Sequence, residues 1–234
     1  MEAIILAGGK AERLGEAAAG GRPKALVEVA GKPLAAYQVA QLAQAGVERV
    51  LVSCAEGQEG AFAEALAGIG PEIVPVGEPE PLGRGGGIRH AATARRERGD
   101  LFALNGDEIV DLDLNVLLEH HRARGATATI TVCPLRSPFG VVELEGDVVR
   151  GFREAPRLDH WVSCGVYVLS DEALEQLPER GDHETTTFPE LAAEGCLRAH
   201  RHEGVWLTVN TPKDLRLAND YLAAHPDWPA GARA

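Results

Sequence analysis

The feature that most restricts how this chain can fold is the exchange of two hydrophobic periods along its first half. Short β-rich runs (AIIL from Ala3, RVLVSC from Arg49, EIVPV from Glu72, LFALN from Leu101) alternate with segments of helical spacing (LAAYQVAQLAQ from Leu34, AFAEALAGIG from Ala61, GIRHAATARRERG from Gly87, NVLLEHHRARG from Asn115). Strands separated by helices of this length imply right-handed crossovers and a largely parallel sheet. From about residue 126 the helices thin out, and ATATITVC, FGVVELEG, DVVRGFRE and WVSCGVYVL follow as strand-like runs that suggest antiparallel pairs. A helix around FPELAAEG, strands LRAHRH and VWLTV, and a last helix from TPKDLRLANDYLAAH complete the pattern. The expected fold is α/β: a single Rossmann-like domain over residues 1–225, with a mainly parallel mixed sheet flanked by helices and an antiparallel portion. Residues 226–234 are expected to fray.

Composition narrows the function classes. The net charge of −12 argues against a general nucleic-acid binder, which needs a basic face. The four cysteines lie far apart with no C-x-x-C pair, so reduced thiols in a cytoplasmic protein are expected rather than a zinc site. Met1-Glu2 does not open a signal peptide, and no apolar run approaches the ~18 residues of a membrane span. Against the acidic background, Lys10, Arg13, Arg22, Lys24 and Lys32 cluster near the start, and three of the four lysines of the chain are among them. A local basic cluster of this kind suits a small anionic ligand.

The cluster sits in LAGGKAERLGEAAAGGRPKALVEVAGKP, directly after the first strand. A dinucleotide turn needs G-x-G-x-x-G between strand and helix, and GGKAERLG has the wrong spacing. A P-loop needs G-x-x-x-x-G-K followed by Ser or Thr, yet Gly31-Lys32 runs into Pro33. A third candidate is a long loop after the first strand, whose backbone N–H groups wrap a triphosphate while Arg and Lys neutralise it.

Gly8, Gly9, Arg13-Leu14, Pro23-Lys24 and Gly31-Lys32-Pro33 occur in an order that resembles the sugar-1-phosphate nucleotidyltransferase family, in its short form without a C-terminal β-helix. The second glycine loop, Leu82-Gly83-Arg84-Gly85-Gly86, is more like that of guanylyl-transferring members acting on mannose 1-phosphate than that of thymidylyl-transferring ones. The resemblance implies transfer of a nucleoside monophosphate from an NTP to a sugar 1-phosphate, with Arg13 and Lys24 as catalytic groups. It implies nucleotide binding by Leu6, Ala7, Gly8, Gly9 and Lys10, by Gly83, Gly85 and Gly86 of EPLGRGGGIRHA, and by Asn105. It assigns a Mg²⁺ ion to Asp107 of NGDEIVDLDL, at the carboxyl end of a strand where open parallel sheets place ligands. Gly140, Glu154, Ser163 and Gly165 match the sugar-binding, antiparallel portion. NTP and sugar 1-phosphate are thus the expected partners, with no nucleic acid or membrane; a homodimer is left open.

Three departures from the family pattern stand out. Glu-Lys-Pro is here Glu154-Ala155-Pro156, so a lysine for the sugar phosphate is missing, and Arg153 or Arg157 is the expected replacement. Asn-Ala-Gly is Ser163-Cys164-Gly165. The usual second metal Asp is Thr208 in Trp206-Leu207-Thr208-Val209-Asn210, and Asn210 offers a neutral oxygen in its place, as in the Val-Asn-Thr-Pro of cofactor guanylyltransferases. Two other readings compete. A glycosyltransferase would use the D-x-D of Asp111-Leu112-Asp113, although Asp113 also suits a helix N-cap. A non-catalytic nucleotide sensor would explain the losses at Ala155 and Thr208.

Overall fold

The structure is a computed structural model and describes residues 1–18 and 21–229. Strand β1 (Glu2–Leu6) leads into the basic loop, which holds two short 3-10 segments (Glu12–Ala18 and Lys24–Leu26) and ends in a small hairpin of β2 (Glu28–Val29) and β3 (Lys32–Pro33). Then come α1 (Leu34–Gln44), β4 (Arg49–Ala55), α2 (Glu59–Ala65), β5 (Glu72–Glu78), α3 (Gly83–Ala92), β6 (Leu101–Asn105), β7 (Glu108–Val110) and α4 (Leu114–Ala123). The second half contributes β8 (Ala128–Arg136), β9 (Val141–Glu145), β10 (Val148–Arg153), β11 (Arg157–Leu169), α5 (Asp171–Glu175), α6 (Thr187–Ala193), β12 (Leu197–Arg201), β13 (Trp206–Thr208) and α7 (Pro212–Ala224).

The main sheet has seven strands in the order β12-β8-β11-β6-β1-β4-β5. β1 is parallel to β4 and β6, β5 to β4, and β12 to β8, while β11 is antiparallel to both β6 and β8. One reversed strand therefore makes an otherwise parallel sheet mixed. Successive side chains of a strand point to opposite faces, and the core divides accordingly. Ile5, Val50, Val52, Phe102 and Leu104 pack with Val39 and Leu42 of α1 and Leu117 of α4. Ile4, Leu51, Leu101 and Ala103 pack on the other face with Ile88 of α3, Leu174 of α5 and Phe188 and Leu191 of α6. Burial on both faces explains why these strands read as continuous apolar runs.

Two differences from the sequence reading have clear causes. α3 starts at Gly83 and stops at Ala92, rather than running from Gly87 to Gly99. Glycines form its first turns because tertiary packing outweighs their poor propensity. The run after Ala92 is drawn into a turn by the buried Glu2 carboxylate, which accepts the N–H groups of Arg96 and Glu97 at 3.0–3.1 Å. The segment expected to fray is also packed in its first residues: Trp228 is buried, with its ring 5.9 Å from that of Tyr37. The remainder of that tail, 230–234, lies outside the described residues. Among the described residues no helix is long and apolar enough to cross a membrane.

Candidate active site

The parallel pairing of β1 with β6 sets Leu6 beside Asn105 at the carboxyl ends of both strands. The chain leaves β6 through Gly106, whose N–H bonds Leu6 O at 2.9 Å. A Cβ on Gly106 would lie 2.5 Å from that same oxygen, so only glycine fits this crossing. Asp107 follows directly, and its Oδ2 accepts a hydrogen bond from Lys24 Nζ at 2.5 Å.

Lys24 also donates to Asn210 Oδ1 at 2.5 Å. Its side chain is buried, on a loop pinned by its own N–H to Gly9 O at 3.2 Å and by the bridge between Lys10 and Pro23. Asn210 arrives from the far end of the chain. Val209 N–H bonds Asp107 O at 2.9 Å, and Asp214 caps α7 by accepting the N–H groups of Asn210 and Thr211. The candidate metal residues Asp107 and Asn210 are therefore brought together on one ammonium group.

Two cavities open beside this point. The larger, of about 860 Å³, is lined by Leu6, Gly8, Gly9, Lys10, Glu78 and Arg84, among others. Arg13 is exposed on the 3-10 segment, between the lining residues Glu12 and Gly15. Glu78 is fixed in the cavity wall by Ser53 Oγ, which donates to Oε1 at 2.7 Å, and by Leu82 N–H, which donates to Oε2 at 3.1 Å. The smaller cavity, of about 570 Å³, is lined by Arg84, Asn105, Glu108, Ser163 and Glu184 over apolar Ile130, Val162 and Phe188.

Glu108 is anchored by Trp206 Nε1, which donates to its Oε2 at 2.6 Å. Burial, reinforced by the neighbouring Asp107 charge, pushes its carboxyl pKa up to about 8 against the opposing pull of Trp206 and Lys24. Gly165 makes room for the same corner. It sits at φ 71°, and a Cβ there would lie 2.6 Å from Asn105 Nδ2 and 2.9 Å from Glu108 Cγ.

A profile described as nucleotidyl transferase matches residues 2–225. The chain belongs to the nucleotidyl transferase family. It is 32% identical to the Xenopus tropicalis mannose-1-phosphate guanylyltransferase catalytic subunit beta over 97% of this chain and 68% of that protein. A putative mannose-1-phosphate guanyltransferase of Sulfolobus acidocaldarius is 28% identical over 94% of this chain and 62% of its own length. In fold it is similar to HddC from Yersinia pseudotuberculosis complexed with GMP-PN, with a TM-score of 0.73 at 23% identity over 94% of this chain and 99% of that one.

Within this nucleotidyl transferase the sugar-side candidates separate. Ser163 and Asn105 line the smaller cavity, and Gly165 is buried behind them against Asn105 and Glu108. Gly140 instead lies against the Phe152 ring, and Glu154 is exposed in the turn after β10. Arg157 faces Glu203 at 3.4 Å and the Trp161 ring, and Arg153 faces Glu143 at 3.3 Å. Neither lines the smaller cavity; its lining cation is Arg84. Gly83 lines the larger cavity, while Gly85 and Gly86 are buried against the 178–183 backbone. The D-x-D tripeptide is spent on structure: Asp113 caps α4 through Asn115 N–H at 2.9 Å, and Asp111 accepts from Tyr221 OH at 3.3 Å.

Sequence reading passed over Glu78, Glu108, Arg84 and Glu184. Glu108 adjoins NGD and Arg84 stands among the glycines, so proximity to the signatures was the available signal for both. Glu184, in DHETTT, carries no such signal.

Proposed function

We propose that this nucleotidyl transferase moves a guanylyl group from GTP to a sugar 1-phosphate, mannose 1-phosphate first among the candidates, and releases pyrophosphate. The observation that carries the reading is the convergence of Lys24, Asp107 and Asn210 at the ends of β1 and β6, beside two cavities that share Arg84. The printed names of the curated relatives support mannose 1-phosphate as the acceptor. A guanine base presents N–H donors, and the Glu78 carboxylate, with one donor on each oxygen, keeps lone pairs for them.

In the reaction a phosphate oxygen of the sugar 1-phosphate attacks the α-phosphorus of GTP in line. The bond from that phosphorus to the β-bridging oxygen breaks, and pyrophosphate leaves with the electron pair. The attacking oxygen is already an anion at neutral pH, so positioning and charge stabilisation do the catalysis. Lys24 neutralises the α-phosphate, and the exposed Arg13 reaches for the leaving pyrophosphate. Asp107 is the residue to hold Mg²⁺, with Asn210 adding a neutral oxygen; the donor set of one carboxylate and one amide fits an ion that takes most ligands from phosphates and water. Bound there, the ion supplies charge to offset that of the two phosphates.

The test is a matrix of nucleoside triphosphates against sugar 1-phosphates, read by pyrophosphate release. GTP with mannose 1-phosphate is expected to give the highest kcat/KM. Tight GTP binding without release for any pair would favour a nucleotide sensor instead.

A further inference from the structure

The glycines at the start of α3 do a job that links the two cavities. A Cβ would come 2.6 Å from Gly181 O at Gly83, 2.8 Å from His183 N at Gly85 and 2.6 Å from Glu179 O at Gly86. Gly85 and Gly86 N–H both bond Gly181 O, at 2.9 and 3.2 Å, and Gly181 N–H bonds Leu82 O at 2.7 Å. Backbone is thus docked on backbone, and the docked segment carries Asp182 and Glu184 to Arg84. Arg84 Nε donates to Asp182 Oδ2 at 2.8 Å, and Nη2 lies 2.7 Å from Glu184 Oε2. The other Glu184 oxygen accepts from the fully buried Tyr167 hydroxyl at 3.2 Å.

Two carboxylates, Asp182 and Glu184, surround the single Arg84 guanidinium here. The local balance is acidic, so this wall repels a phosphate and suits a neutral polyol. Each Glu184 oxygen already holds one donor and retains a lone pair. Apolar Ile130, Val162 and Phe188 supply surface for the carbon face of a ring.

We propose that Glu184 is a specificity-determining residue that accepts hydroxyl groups of the sugar ring, with Arg84 as the positioning residue that holds it and ties it to the nucleotide wall. The inference rests on the sugar-1-phosphate reading above. A site built around a hydroxyl acceptor discriminates strongly against substrates lacking that hydroxyl.

The experiment measures kcat/KM with GTP for mannose 1-phosphate and its ring-deoxy 1-phosphates, or the same series of whichever sugar the wild type prefers. At one ring position at least, loss of the hydroxyl is expected to cost the wild type about 10-fold or more, and Glu184→Ala about 2-fold or less. Arg84→Ala is expected to raise KM for the sugar 1-phosphate more than it lowers kcat, with partial recovery in Arg84→Lys. Glu184→Ala showing every wild-type deoxy penalty undiminished would overturn the proposal. If circular dichroism shows Glu184→Ala to be misfolded, Glu184→Gln, whose carbonyl still accepts from Tyr167, is judged by the same comparison. A wild type that binds GTP but turns over no sugar 1-phosphate would instead remove the transferase reading itself.

Discussion

Lys24 and Asp107 meet at 2.5 Å although 83 positions separate them in sequence. The contact gives the Asp107 carboxylate, beside the partly buried Glu108, its counter-charge, and under the proposed function the same ammonium neutralises the α-phosphate. Lys24→Met is expected to retain the fold and lose about 10²–10³ in kcat, the usual cost of one such charge contact. Lys24→Arg is expected to recover little, because a planar fork does not reproduce a point charge held by two oxygens. Pyrophosphate release and circular dichroism read the two halves of the prediction. Near wild-type turnover in Lys24→Met would remove Lys24 from the mechanism.

The same contact bears on metal binding. In the free protein the ammonium sits on Asp107 and Asn210, so a divalent ion has to compete with it. Mn²⁺ affinity, followed by electron paramagnetic resonance, is expected to rise about 10-fold or more when a non-hydrolysable GTP analogue supplies phosphate oxygens and draws Lys24 away. Asn210→Asp adds a carboxylate and is expected to strengthen Mn²⁺ binding without nucleotide. An affinity indifferent to both changes would place the metal elsewhere.

Gly165 permits the corner formed by Asn105 and Glu108. At φ 71° with Asn105 Nδ2 2.6 Å from where a Cβ would stand, Gly165→Ala meets both backbone strain and a clash. The left-handed conformation alone costs about 1–2 kcal/mol. Denaturant unfolding is expected to show at least that loss. Beyond it, KM for the sugar 1-phosphate should rise as Asn105 and Glu108 are displaced. Unchanged stability and KM would mean the corner relaxes freely.

Much of this was legible in the sequence because it is local. Alternating apolar runs fixed the strands that bury Ile4 and Ile5 on opposite faces, and Pro23-Lys24 with NGD marked two of the three groups that meet at the site. Asn210 was found only through a departure from a family pattern, since 186 positions separate it from Lys24. The glycines of α3 read as loop rather than helix because their packing is set by a segment almost a hundred residues on. A loop glycine and a docking glycine look alike until the partner backbone is seen. Glu184 was illegible for the same reason: its contact with Arg84 exists only after that docking.

His183 gives a pH signature of that docked segment. The ring is fully buried, stacked edge-on at 5.2 Å from Tyr167 and 4.6 Å from Phe188, and neither ring nitrogen has a hydrogen-bond partner among the described residues. Burial, helped by the Arg84 charge and opposed by Asp182, lowers its pKa from 6.5 to about 4. A depressed folded-state value means that the unfolded chain takes the proton first as pH falls. The stability contribution is therefore complete above about 6.5 and is lost progressively down to about 4. The gap corresponds to about 3 kcal/mol. His183→Phe keeps the aromatic contacts and removes two unpartnered polar atoms, so it is expected to be at least as stable at pH 7. Its unfolding free energy should also lose that share of the slope between pH 6.5 and 4. Parallel curves for the two proteins in urea titrations across this range would show that His183 is not the group responsible.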